Sequence, residues 1–145
     1  MIDDEENYFL EELDEVAQLA HDTKYTDCPK ILARWLHLLD NAPDRLSVIV
    51  TELGNLITLE EISQTMLIEQ SGMGNNTFDW PLDKDRRIAA QLCLVRALVT
   101  DTVNYEGLIG SHFYEHRGDY NDANYQFVSS FFIPHQREID RYLKR

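Results

Sequence analysis

The most apolar stretch of the sequence is Ile88-Ala-Ala-Gln-Leu-Cys-Leu-Val-Arg-Ala-Leu-Val99. Apolar residues recur through it and beyond it at steps of three and four: Ile88, Leu92, Val95, Val99 and Val103. This repeat is typical of a helix that turns one face to a hydrophobic core. Three more apolar residues widen the face: Leu94, Ala97 and Leu98. We therefore predict a central helix over about residues 84–105, covered on more than one side.

The ends of this helix also carry signals. Asp83 stands where its side chain can cap the first turn. The apolar stripe continues with Ile109 and Phe113, and Gly107 and Gly110 lie within this continuation. Because glycine weakens a helix interior, we expect a kink or a break near residue 107.

Similar repeats on both sides of this segment predict more helices. They cover 3–20, 28–40, 44–54, a stretch that begins after Thr58, and a last helix from about Asp122 that Pro134 breaks or kinks. Asp27 and Asp44 are the expected caps of the second and third helices. Thr58 with Glu61 has the spacing of a capping box at the start of the fourth helix. Met66 and Leu67 of that helix are expected to face the core. No run of residues alternates strongly enough to predict a strand. The predicted fold class is all-α, a single-domain bundle of five to seven helices over residues 1–145.

Composition limits the kind of protein. The chain has 145 residues, 43% of them hydrophobic and 27% charged, which is typical of one globular domain. Its formal net charge of −13 disfavours nucleic acid and anionic membranes as partners and favours a basic protein. The acidic start Met1–Glu6 does not resemble a signal peptide, and the apolar run at 88–99 is too short to cross a bilayer. We therefore expect a cytoplasmic protein whose two cysteines are reduced.

One motif has the spacing of a metal site. His112, Glu115 and His116 form an H-x-x-E-H pattern, in which a helix would place the two histidines one turn apart. The pattern resembles the zinc motif of the inverted metalloproteases, and that resemblance implies zinc bound by the histidines and Glu115 as the base. The likeness covers five residues, and that family has a far larger chain and an acidic ligand well downstream. We treat a metal-dependent helical enzyme as an alternative only.

A second pair, His135 and Glu138, repeats the H-x-x-E order on the next helix. The two pairs together could hold a metal between helices, but di-iron bundles use the reverse order, Glu-x-x-His. The sequence shows no glycine-rich phosphate loop after a strand. We therefore expect no cofactor, and we lean against an enzyme.

The first predicted helix gives the main functional hypothesis. It carries Glu11, Glu12, Asp14 and Glu15 with no basic residue before Lys24. Such a face is either a solvated surface or a docking surface for a basic partner. The long loop 71–82 contains Phe78 and Trp80, which either fold back onto the core or serve as exposed anchors for a partner.

We combine these features into one hypothesis. The protein is a small acidic binding module, an inhibitor, immunity protein or antitoxin, that engages a basic protein through the four acids with Phe78 and Trp80 as anchors. A homo-oligomeric scaffold subunit, whose aromatic-rich last helix pairs with itself, is the other alternative. The basic residues at the end of that helix are expected to lie near the acidic first helix.

Overall fold

The fold is built from α-helices, as the apolar repeats predict. The computed structural model describes residues 2–63, 67–68, 77–114 and 118–145. Its helices are α1 (Asp4–Leu19), α2 (Cys28–Asp40), α3 (Asp44–Gly54), α4 (Leu59–Glu61, a single turn), α5 (Lys84–Val99), α6 (Tyr105–His112), α7 (Tyr120–Phe127) and α8 (Ile133–Leu143). A 3-10 turn, Ala20–Asp22, extends α1, and two short strands, β1 (Leu67–Ile68) and β2 (Thr77–Phe78), pair antiparallel. The predicted all-α class is confirmed.

Helix α5 is the central element, as predicted. It packs against α2, α3 and α8. Eight of its residues are buried: Ile88, Ala89, Ala90, Leu92, Leu94, Val95, Ala97 and Leu98. Asp83 caps the helix, because its Oδ2 accepts a hydrogen bond of 2.9 Å from the Arg86 backbone N–H. Seven of these eight side chains, all but Ala97, belong to one hydrophobic cluster that includes residues of α1, α2, α3, α6, α7 and α8.

The predicted extension of the central helix to residue 105 is wrong. The helix ends at Val99, and Asp101 adopts a left-handed conformation with φ of 59°. Asn104 then begins α6, since its Oδ1 accepts a 2.7 Å hydrogen bond from the Gly107 backbone N–H. The break therefore falls before the glycines, where a capping side chain competes with helix continuation.

The predictions for the other helix starts are correct in position but not always in mechanism. Thr58 caps α4, accepting from the Glu61 N–H at 3.2 Å. Asp27 precedes α2 without a capping hydrogen bond, and Asp44 lies inside the first turn of α3, after Pro43. Since Pro43 and Pro29 already hold φ near the helical value, these starts need less help from a cap.

The helix predicted after Thr58 is present at Leu59–Glu61, and Ile62 is buried as predicted, but the prediction is wrong at Leu67. Leu67 lies in β1 instead of on a helix, and Met66 lies outside the described residues. The strands also correct the expectation of no strand. Each has two residues, which is too short for an alternating pattern to show in the sequence.

The last helical region begins at Tyr120, two residues before the predicted start. Asp119 and Asp122 form a capping box, in which each side chain accepts a hydrogen bond from the other's backbone N–H. Between α7 and α8, residues 128–132 form a π-helical segment. Pro134 lacks an N–H, and its ring would clash with the carbonyl four residues earlier in a regular helix. The wider π-turn accommodates the ring, so the chain stays helical through Pro134 and the predicted break is wrong, while the alternative of a kink stays a prediction.

The side chain of Trp35 connects helix α2 to helix α8. Its side chain is fully buried on α2, and its indole Nε1–H donates a 2.6 Å hydrogen bond to Oε1 of Gln136 on α8. Its ring meets Phe132 edge-on, with 5.3 Å between ring centroids. This contact, together with the packing of α8 on α1 and α5, sets the rotation of α8.

We expect Trp35→Phe to lower the free energy of unfolding by about 2–4 kcal/mol, because it opens a void and leaves Gln136 Oε1 buried without a donor. Urea unfolding followed by circular dichroism measures this loss. Val48, which is exposed on α3, provides the control. Val48→Ala should change the stability by less than about 0.5 kcal/mol, and equal effects of the two substitutions would contradict the role given to Trp35.

Candidate functional site

Helix α1 separates buried apolar residues from exposed acidic ones. The buried side is formed by Phe9, Leu10, Leu13, Val16 and Ala17. At its start, Asp3 and Glu6 form a capping box: Asp3 Oδ1 accepts from the Glu6 N–H at 2.8 Å, and Glu6 Oε1 accepts from the Asp3 N–H at 3.1 Å. The capping box and the buried side hold α1 as a rigid support for its exposed side chains.

Glu6 differs from the other acids of α1 because the fold uses it internally. It is buried, and its Oε2 accepts a 2.8 Å hydrogen bond from Arg45 Nε. The Arg45 guanidinium holds the pKa of the Glu6 carboxyl below its ordinary value.

The six remaining acids of the helix form what we call the acidic face: Asp4, Glu5, Glu11, Glu12, Asp14 and Glu15. Five of them are exposed, and Glu12 is half-buried. None of the six forms an ion pair with any residue that the structure describes. Four of them are the predicted partner-binding acids, and the structure brings those four together on one helix.

Two exposed apolar side chains accompany the acidic face. Tyr8 is 69% exposed and Leu19 is 46% exposed. With Glu12 and Glu15 they follow steps of four, three and four, so all four residues lie along one side of α1. Neither Tyr8 nor Leu19 was among the functional residues predicted from the sequence. The available signal was their position: both lie on the turns that carry the acids.

The basic end of the chain lies near the acidic face, as expected. Glu11 and Asp14 line a groove of about 390 Å³ between α1 and α8, opposite Arg137, Arg141 and Lys144. Arg137 and Arg141 are exposed and form no ion pair with the described residues. The attraction across this groove therefore acts through solvent and is screened by salt.

The predicted anchors Phe78 and Trp80 lie elsewhere, in a cluster of aromatic rings. Phe78 stacks on Trp80 with 4.8 Å between ring centroids, and on His112 with 4.5 Å. Phe131 lies 5.9 Å from Trp80 and 6.0 Å from Phe78. Phe78 and Trp80 are half-buried and pack against the hydrophobic core, so both side chains make contacts within their own chain.

These rings also line a groove of about 330 Å³, which we call the aromatic groove. Its aromatic residues are Phe78, Trp80, Phe113 and Phe131, and its other lining residues are Gln91, Ser130, Pro134, His135 and Glu138. It shares no lining residue with the groove between α1 and α8. The predicted acids and the predicted anchors therefore belong to two separate surfaces.

His135 has an unsatisfied polar atom beside the aromatic groove. The side chain is 1% exposed, and its Nδ1 lies 3.2 Å from Gln91 Oε1. An amide oxygen only accepts, so Nδ1 carries the proton and Nε2 has a free lone pair. Nε2 is buried and has no hydrogen-bond partner in the described part of the chain. Burial lowers the pKa of His135 to about 3, so its ring is neutral at physiological pH. A buried acceptor without a donor costs about 1–3 kcal/mol.

The predicted metal motif is only partly described. The His112 ring stacks on Phe78, and its Nδ1 lies 2.9 Å from Ser111 Oγ, while Glu115 and His116 lie outside the described residues. Over the ranges that the structure covers, no three metal-binding side chains are grouped closely enough to hold an ion. In the second pair, Glu138 binds Arg87 at 3.2 Å. The metal site stays a prediction.

The two free cysteines do not form a nucleophile site. Cys28 is fully buried and Cys93 is half-buried, and burial raises the pKa of both thiols. A thiol with a raised pKa is largely protonated at neutral pH and reacts slowly.

The aromatic residues of the last helical region are used within the chain. Phe127, Phe131 and Phe132 are buried in the hydrophobic cluster, and only Tyr125 is exposed among the rings of residues 122–132. The alternative of a homo-oligomeric scaffold relied on these rings for self-pairing. Their placement does not support it, and it stays a prediction.

Comparison of the chain with known protein families, with curated proteins and with solved structures finds no match. None of the helices in the part of the chain that is described has the length and apolar character needed to span a membrane.

Stability should depend on pH through His135. The folded-state pKa of about 3 lies below the ordinary value of 6.5, so the unfolded chain binds a proton that the folded chain does not. Stability from this residue is therefore full above about pH 6.5 and is lost as the pH falls toward 3. Between about pH 7.5 and pH 5 the loss should be about 2 kcal/mol, measured by urea unfolding at each pH.

The variant His135→Gln should remove most of this pH-dependent loss. The exposed His37 on α2 gives the control, and His37→Gln should keep the wild-type slope of stability against pH. An unchanged slope in His135→Gln would show that His135 is protonated in the folded protein.

Proposed function

We propose that this protein is a small acidic binding module that acts in the cytoplasm and engages a basic protein partner through the acidic face of α1, as an inhibitor, immunity protein or antitoxin does. The observation that supports this most strongly is that the six carboxylates of the acidic face form no ion pair with the described residues, while the same helix exposes Tyr8 and Leu19. Glu6 of the same helix has an ion-pair partner in Arg45, whereas among the described residues Glu11 and Asp14 accept only exposed hydrogen bonds from Asn7 and Gln18 within α1.

Charge and apolar contact have different effects on binding. A field from six carboxylates attracts a positive surface and speeds association, but it adds little affinity at physiological salt. An aromatic side chain that is buried on binding supplies affinity and slows dissociation. Tyr8 and Leu19 flank Glu12 and Glu15 along the helix, so one surface offers both effects.

The geometry of α1 limits the shape of the partner. The side from Tyr8 to Leu19 covers twelve residues of helix, and the eleven steps between its ends span about 16 Å. A basic surface of that length, with an apolar pocket at one or both ends, is the complement that this side fits. The metal enzyme with His112, Glu115 and His116 and the self-pairing scaffold have no comparable support within the described ranges.

Reversal of charge on the acidic face tests the proposal. With a basic partner captured from the native host and then purified, Glu11, Glu12 and Glu15 changed together to lysine should slow association about 10–100-fold at low salt. The effect should shrink as salt approaches about 1 M, because the Debye length falls from about 30 Å at 0.01 M to about 3 Å. Surface plasmon resonance at a series of salt concentrations measures both trends.

A matched variant reverses Asp22, Glu52 and Glu106, which are exposed and lie outside α1, and so gives the same net charge. It should slow association much less. Three results would each rule out the acidic face as the docking surface. No basic protein is captured, both variants slow association equally, or the α1 reversal leaves the association rate unchanged at every salt concentration.

Tyr8→Ala tests the apolar part of the same surface. Because the ring is 69% exposed, the substitution should leave the free energy of unfolding within about 0.5 kcal/mol of wild type. Dissociation of the partner should become about tenfold faster or more, with little change in the association rate. Tyr125→Ala, at a ring on α7 that is 55% exposed, is the control, and equal effects of the two changes would contradict the role of Tyr8.

A further inference from the structure

We propose that the aromatic groove is a receptor for an arginine side chain of the basic partner. The inference rests on the proposed function for the charge of that partner. It goes further because it assigns a second contact surface and names the group that this surface binds.

The rings of the groove suit a flat cation. Trp80 is half-buried and lines the groove, with Phe131 beside it at 5.9 Å between ring centroids. Phe131 is buried and stacks on Phe127 and His135, so Trp80 is the one of these two rings with the larger exposed area. The face of an aromatic ring is negative, so it attracts a cation placed over it, and tryptophan does so most strongly. A guanidinium is planar and weakly hydrated, so it stacks on such rings better than a compact ammonium does.

The free polar atoms of the groove are mainly acceptors. Glu138 Oε2 accepts from Arg87 Nη2 at 3.2 Å, which leaves Oε1 without a partner in the described structure. The Ser130 hydroxyl donates to the Gln126 carbonyl, so its oxygen keeps its lone pairs. His135 Nε2 is a third acceptor, and it is buried beside the groove.

An arginine side chain matches this set of atoms. It has five N–H donors and no acceptor, and its charge complements Glu138. An anionic ligand would be repelled by Glu138, and an apolar one would leave the acceptors without donors. Arg87 holds Glu138 from α5 and so positions the carboxylate for a second guanidinium.

The test uses N-acetyl-L-arginine amide as the probe and the intact protein. Nitrogen-15 NMR follows the indole N–H of Trp80, and the indole of the fully buried Trp35 serves as the internal reference. We expect a saturable shift at Trp80 with a dissociation constant of about 1–10 mM, as suits a single side chain. The lysine analogue should bind at least about threefold more weakly, and the citrulline analogue, which has the same shape but no charge, at least about tenfold more weakly.

Substitutions localise the binding. Glu138→Gln should weaken binding of the arginine probe at least about fivefold, and Glu106→Gln, which removes an exposed acid outside the groove, should leave it within about twofold. Trp80→Leu should weaken binding to a similar degree as Glu138→Gln, followed by chemical shifts of groove backbone amides. Three results would each overturn the proposal. Trp80 shows no saturable shift with the arginine probe, the citrulline analogue binds as tightly as that probe, or Glu138→Gln and Glu106→Gln have equal effects on binding.

The two proposals can fail separately. The arginine probe needs no partner protein, whereas the charge reversal on α1 is measured with the partner. If the probe does not bind but the reversal slows association, the acidic face stands and the aromatic groove has no role as an arginine receptor.

Discussion

The buried hydrogen bond from Trp35 to Gln136 sets the arrangement on which both candidate surfaces depend. It joins α2 to α8 across 101 residues of sequence and, together with the packing of α8 on α1 and α5, fixes the rotation of α8 about its own axis. With that rotation fixed, Pro134 and Glu138 face the aromatic groove, while Arg137 and Lys144 face α1. A rotation of α8 by one residue, about 100°, would turn the acceptors away from the rings and the cations away from the acidic face.

Much of the fold follows from local signals that the sequence displays. The apolar repeat from Ile88 to Val99 identifies the central helix, and Asp83 and Thr58 cap the helices that follow them. The parts that could not be predicted depend on contacts between distant residues. Leu67 pairs with Phe78 in a ladder two residues long, and Asp101 takes a positive φ. Neither leaves a periodic pattern in the sequence, because each depends on where the flanking segments pack.

The candidate surfaces were predictable to different degrees. The acids of α1 can be identified from the sequence because the residue type alone gives their charge. The burial of His135 and Gln136 could not be predicted, because Gln91 and Trp35 supply their hydrogen bonds from 44 and 101 residues away. The π-turn at 128–132 adds to the difficulty, because it shifts the helical phase of every residue that follows Phe132. A regular 3.6-residue period drawn through Pro134 would assign these residues to the wrong faces.

The central claim is that the acidic face of α1 is covered by a basic partner. Carbodiimide labelling of carboxyl groups, read by mass spectrometry in the free protein and in the complex, tests it most directly. We expect Glu11, Glu12, Asp14 and Glu15 to lose most of their labelling in the complex, while Glu52 and Glu106, which are exposed and lie outside α1, keep theirs. Labelling of α1 that is the same in the free and the bound protein would contradict the claim.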